Sequence, residues 1–390
     1  MSDPSGPQDF GELFNDVPLF REIQRVLLAG SGPINWELAR QVAIASAAWG
    51  GRDDPTPTDD DRRGLEDTVR ATELHVAELT GLSPPGEIVP VEAIRRAQWV
   101  EANIQGLKDL VEPTAVRVAE AFTKAQVEEA PPEQAQMAQG VLGQLAPLLL
   151  GAQAGVVLGQ LAGIAFGQYD VAVPRPGPSR VYFVVPNIAA FENDWSVPAV
   201  EFRAWVALHE VAHRFEFARP WAYEHLQELI RDFVSTLDID VAGLRERLEQ
   251  LDPSNPEALQ GMFQQDQALF GASTDPEQRL KLARIQAFMA ASEGFADHVT
   301  EVLGRKLLTA YGRIEEALAR TREDDTDDTL FERLLGIEMK RERYAQGKAF
   351  CDRVVEQTDE STLARMWGSP ESLPSMPEIE EPTLWLARIV

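Results

Sequence analysis

Cysteine is nearly absent from this chain. One residue, Cys351, among 390 excludes an internal disulfide framework and fits a reducing compartment. Basic charge is scarce too. Lys and Arg number 36 against 63 Asp and Glu, and a net charge of −27 repels nucleic acid and anionic membrane surfaces, so neither is expected as a partner. The opening residues, MSDPSGPQDFGELFND, lack a basic segment followed by an apolar run. No signal peptide is therefore expected, and the protein reads as cytoplasmic. No solenoid-type repeat is present. Histidine is limited to five residues, so any regular spacing among them carries information. What remains is an ordinary share of charged and apolar residues, enough to bury a large core.

Two of the five histidines stand four apart in AWVALHEVAHRFEF, residues 204–217. On a helix His209 and His213 share one face about one turn apart, so both imidazoles can grip one metal ion. Glu210 between them then reaches a water on that ion. Zinc suits neutral imidazole and has no geometric demand of its own. Pro198 opens the helix, and Trp205, Val206, Leu208, Ala212 and Phe215 are the apolar positions that would bury it. The bland alternative is a core helix with two surface or hydrogen-bonded histidines.

A catalytic zinc takes three protein ligands and keeps one position for water. The candidate third ligand is Glu293, in the helical stretch ASEGFAD, with Asp297 one turn further on the same face. There Asp297 could accept the second N–H of a zinc-bound imidazole and fix its tautomer. Gly294 beside the ligand would let this helix pack closely on the other. A Glu and Asp four apart are commonly a solvated surface pair, so E-x-x-x-D alone is weak. Paired with H-E-x-x-H it resembles the gluzincin arrangement, with a longer gap between the two motifs than is usual. The expected chemistry is metal-assisted hydrolysis of an amide bond, the zinc acidifying water and polarising the carbonyl while Glu210 moves the proton. His225, His298 and Tyr344 are candidate donors to the oxyanion, and the sequence does not choose among them.

Along the chain, residues 1–16 read as a loose arm. Helical periodicity covers 18–28, 36–49 (with Asn35 as N-cap), 62–80, 91–107 and 111–127. Residues 50–61 read as an acidic, Pro-rich loop whose charges are simply solvated. From Gln134 to Tyr169 there is no charge, and Gly151, Gly155, Gly159, Gly163 and Gly167 recur every four residues. That period makes a smooth face for close helix approach. Gln144, Gln153, Gln160, Pro147 and the acidic flanks favour a packed interior helix over 139–168, not a membrane span. Short strands are expected at 171–173 and 181–185. Helices follow at 221–237, 241–251, 257–270, 275–308 and 331–355, with an acidic loop at 324–328 and a Pro-rich tail.

Longer stretches carry a resemblance. VVPNIAAFENDWSVPAVEFRAWVALHEVAHRFEF, ASEGFAD and LLGIEMKRERYAQGKAF, with the Gly-rich helix and the SPESLPSMPEIEEP tail, resemble a family of zincin-like proteins of unknown function. Its members come largely from actinobacteria and relatives. They are labelled zinc-dependent metalloprotease (type 2 zincin-like) or linked to biosynthesis of a deazaflavin coenzyme. The resemblance covers most of the chain. It implies zinc on His209, His213 and Glu293, with Glu210 as base. The chemistry expected of such a site gives a peptide or small amide as the substrate. The expected fold is mainly α: a helical bundle around the Gly-rich helix, with a small β element before the H-E-x-x-H helix. Residues 17–168 form a helical region and 169–390 a zincin-like metal-binding region, packed as one body. Two rival functions stand beside a peptidase: a metallohydrolase of a small metabolite, and a non-catalytic zinc-containing binding protein.

Overall fold

Small residues set the first long-range contact. Helix α1, Trp36–Ala47, is capped by Asn35, whose side chain accepts the Leu38 N–H at 2.9 Å as expected. Ala39, Ala43 and Ala47, four apart, are buried on one face of α1. Helix α4, Pro132–Ile164, lays Gly151, Gly155 and Gly159 against that face. A Cβ at Gly155 or Gly159 would run into the backbone of Ala39 or Ala43. Close backbone approach compensates the helix propensity that glycine forfeits. Pro147 lies inside α4, and its carbonyl accepts the Asn35 N–H at 2.8 Å. The computed structural model describes residues 32–48, 53–84, 86, 90–129, 132–168, 180–236, 276–324 and 341–389. The expected arm at 1–16, helices at 18–28, 241–251 and 257–270, strand at 171–173, most of the loop at 324–328 and the start of the helix at 331–355 lie outside them.

Helix α2, Asp59–Thr80, starts three residues before its expected position, because Thr58 and Asp61 form a reciprocal capping box. The acidic run before it is more than solvated charge. The Asp54 carboxylate accepts the N–H groups of Arg96 at 3.0 Å and Ala97 at 3.3 Å, capping the next helix.

The expected helix over 91–107 is corrected. Val91–Ile94 is strand β1, paired in parallel with β2, Val181–Val184, with Val91 opposite Val181 and Ile94 opposite Val184. All four residues of β2 are buried, and pairing with it overrides the helical period of VEAIRRAQ. Helix α3 begins at Arg96 and continues through Pro113 to Glu129, one helix where two were expected. Burial of Leu107, Val111 and Ala115, each four apart, offsets the hydrogen bond that proline removes. On the other side of β2, Gly167 bridges Phe183 antiparallel, and the Val184 N–H reaches the Phe166 carbonyl at 2.8 Å. The second strand ends at Val184, where α5, Val185–Asp194, begins with Pro186 in its first turn.

Helix α6, Ala199–Phe217, carries the H-E-x-x-H and is the centre of the core. Every residue from Trp205 to Glu216 on it is buried. Helix α2 covers one flank and donates Glu73 to an ion pair with buried Arg214. Helix α7, Pro220–Ser235, follows, and α8, Pro276–Leu307, crosses α6. Helices α9, Tyr311–Asp324, and α10, Arg341–Gln357, lead into short helices at Glu360–Ala364, Met376–Glu380 and Pro382–Ile389. Gly294 serves a different neighbour from the one expected. A Cβ there would strike the backbone of Gly347 on α10, and one at Gly347 would strike the Ala290 carbonyl. The fold is mainly α with one two-stranded sheet among the described residues. Among them no helix is long and apolar enough to cross a membrane.

Candidate metal centre

The four-residue spacing on α6 puts the rings of His209 and His213 on one face, centroids 4.8 Å apart at 77°. Trp205, one turn earlier, stacks on His209 at 5.7 Å. From α8, Glu293 Oε2 approaches to 4.0 Å from His209 Nε2 and 3.8 Å from His213 Nε2. One donor atom from each of the three lies within 4.8 Å of the others, so the group could hold a metal ion. Burial pushes the Glu293 carboxyl up from its ordinary range, against the pull of the two imidazoles, with Asp297 and Glu216 adding to the rise.

Asp297 does come to His209, on an unexpected side. Its Oδ1 lies 3.7 Å from Nε2, the nitrogen that also faces Glu293. It therefore adjoins the metal-facing edge of the ring, where the sequence reading had it take the outer N–H.

Glu210 is fully buried. Its Oε2 accepts the backbone N–H of Gln168 at 2.8 Å, and a Cβ on Gly167 would overlap its carboxylate. The segment over Glu210 is itself pinned. Trp99 Nε1 donates to the Gly167 carbonyl at 2.8 Å, and the Gln168 side chain donates to Asn103 Oδ1 at 3.1 Å. Sequence reading placed Gly167 and Gln168 in the Gly-rich helix. The structure ends that helix at Ile164 and uses them against the site.

A second group escaped the sequence reading. Glu216, three residues after His213 and so on the same helix face, is wholly buried and places Oε2 3.1 Å from His213 Nδ1. Ser292 on α8 donates its hydroxyl to the same oxygen. Burial pushes the Glu216 carboxyl well above the usual range, and the Ser292 hydrogen bond and His209 only partly offset it. The H-x-x-E spacing was the available signal.

The other candidates lie elsewhere. His298 is held between Asp352, 2.7 Å from Nδ1, and Glu360, 3.1 Å from Nε2, which engages both ring nitrogens away from any role as fourth ligand. His225 packs its ring near Trp221 and Phe288, and burial lowers its pKa. Tyr344 is half-buried against a core cluster to which α1, α3, α4, α7 and α8 all contribute.

Two imidazoles and a carboxylate are a donor set that zinc accepts with a position to spare. Glu210 and Glu216 add two buried carboxyl groups beside this donor set. The residues present fit the ion.

The family model described as zincin-like metallopeptidase matches residues 34–386. A crystal structure from Chloroflexus aurantiacus, described as a presumed hydrolase with a novel fold, superposes with a TM-score of 0.65 at 30% identity. The match covers 91% of this chain and 98% of that one. The comparison with curated proteins gives no match.

Proposed function

Because this chain belongs to the zincin-like metallopeptidase family, we propose that it is a zinc-dependent hydrolase that cleaves an amide bond. His209, His213 and Glu293 hold the zinc and Glu210 is the base. The observation that carries this reading is the arrival of one carboxylate from α8 within 4.0 Å of both site-facing imidazole nitrogens of α6. When bound, zinc would polarise a carbonyl and make water a better acid. The protein's own groups do the rest. His213 and His209 present Nε2 to a common point with Glu293 between them. Asp297 stands beside His209 and supports that edge of the site. Glu210, held by the Gln168 N–H, takes the proton of the attacking water and delivers it to the leaving amine. Its complete burial excludes bulk solvent and strengthens the charge interactions around it.

A small amide is favoured over an extended polypeptide. Strand β2, which packs against α6, has β1 on one side and Gly167 on the other, so it offers no open edge for strand addition at Phe183. The helical region 17–168 and the region 169–390 act as one body in this reading, which the Arg214–Glu73 pair and the bond from Trp99 to Gly167 support.

The test is Glu210→Gln, which keeps shape and a hydrogen-bonding end but removes the basic oxygen. With a substrate found by screening small-amide and peptide libraries, the variant should bind one zinc per chain and lose at least about a hundredfold in rate. Turnover that survives intact would remove Glu210 from the mechanism. Wild-type protein that binds zinc yet turns over neither library would favour a binding protein.

A further inference from the structure

We propose that Glu216, anchored by Ser292, is the positioning residue for His213: it fixes the ring so that Nε2 faces the metal centre. This rests on the ligand set proposed above and concerns a carboxylate with no part in it. A neutral imidazole carries one N–H, and Glu216 Oε2, which already takes the Ser292 hydroxyl, is placed as an acceptor. With Glu216 Oε2 3.1 Å from Nδ1, the proton sits on Nδ1 and the lone pair on Nε2. Nε2 is the atom that lies 3.8 Å from Glu293 Oε2.

Ser292 makes this more than a contact within one helix. Its hydroxyl donates to the same Glu216 oxygen and lies 3.5 Å from Nδ1. Ser292 directly precedes Glu293 on α8, while Glu216 follows His213 on α6 by one turn. One oxygen therefore ties the two ligand-bearing helices together beside the ligands they carry. Glu216 and Ser292 are 0% and 2% exposed, so water does not compete for these bonds. A residue needed here only for packing would be apolar, since a carboxylate at this depth costs desolvation that a methylene chain avoids. Metal-ligating histidines commonly donate their outer N–H to a carboxylate in this way.

The experiment uses the full-length chain and two measurements. Zinc affinity is read by chelator competition. The His213 tautomer is read from imidazole nitrogen chemical shifts in the zinc-free protein, assigned through His213→Gln. Glu216→Met fills the same space without the acceptor. It should retain the wild-type melting temperature or exceed it, bind zinc about 10–100-fold more weakly, and lose the Nδ1–H signature of His213. Glu216→Gln, which keeps a carbonyl acceptor, should recover part of the affinity. Ser292→Ala should weaken binding in the same direction by a smaller factor, and it decides the matter should Glu216→Met fail to fold. Wild-type zinc affinity or an unmoved His213 signature in these variants would overturn the proposal. A wild-type chain that takes up no zinc would instead sink the ligand assignment, while the tautomer measurement would still decide what Glu216 does.

Discussion

The backbone N–H of Gln168 donates to Glu210 Oε2 at 2.8 Å, so the end of the Gly-rich segment holds the carboxylate at the centre of the H-E-x-x-H helix. Gly167, one residue earlier, has Glu210 where a Cβ would stand. Gly167→Ala should therefore push the carboxylate aside or lift the segment off it. Overpacking of this kind costs about 1–3 kcal/mol, to be read as a fall in the denaturation midpoint. Zinc stoichiometry should stay at one per chain, because the added Cβ would meet Glu210, which is not one of the three proposed ligands. Unchanged stability would mean that the segment yields freely and does not position Glu210.

Two other glycines predict opposite signs. Gly64 sits inside α2, exposed, with nothing within 4 Å of an added Cβ. Gly64→Ala should stabilise the protein by about 0.5–1 kcal/mol through helix propensity alone. Gly155 faces the Ala39 carbonyl and Val42. Gly155→Ala should destabilise it by about 1–3 kcal/mol by forcing α1 from α4. Paired thermal unfolding curves check both, and two changes of the same sign would discredit the close packing assigned to the glycine face.

Which parts were readable follows from which interactions are local. His209, Glu210 and His213 stand out because ligand spacing and helix period coincide within five residues. Glycines four apart announce a close helix contact just as locally, although not its partner, the Ala39–Ala43 face more than a hundred positions away. Glu293 needed a second motif to be noticed, because nothing in the intervening chain links it to the histidines. Glu216 is three residues from His213 and was legible in principle. A Glu near a helix end ordinarily reads as solvated, and only the tertiary burial by Ser292 and α8 makes it otherwise. Asp297 reaching Nε2 of His209 is a matter of side-chain direction, which spacing does not encode. Strand β1 failed for the converse reason. Val91–Ile94 has a helical pattern, and its partner Val181–Val184 lies far away in sequence.

The ligand assignment separates two carboxylates one turn apart. Glu293→Ala removes the oxygen that approaches both histidines, and it should lose most of the bound zinc at micromolar chelator. Asp297→Ala removes a neighbour of His209 alone and should weaken binding about tenfold, the lower end for groups that support a ligand. Metal analysis after dialysis checks the pair. Full zinc occupancy in Glu293→Ala would show the third ligand to be another group, with Asp297 the first to examine.

His298 offers a pH test on a ring held by Asp352 and Glu360, neither of them among the proposed ligands. Burial alone would lower its pKa, but hydrogen bonds to Asp352 and Glu360 outweigh that and raise it to about 9. Lys348 also reaches Asp352 at 2.7 Å and Glu301 at 2.6 Å, so the surroundings are a mixed network that stays charged through neutral pH. The adjacent Cys351 thiol is pushed well above its usual range by burial and does not titrate in the same window. Because the folded pKa lies above the unfolded value of 6.5, the imidazolium contributes stability that is fully present below about pH 6.5. That contribution fades as pH rises through about 9, and it is at most about 3 kcal/mol. His298→Gln should therefore lie well below the wild type in urea denaturation at pH 6, and the gap should close largely by pH 10. A gap that stays constant across that range would mean that His298 is neutral in the folded protein and that its two carboxylates hold it by hydrogen bonding alone.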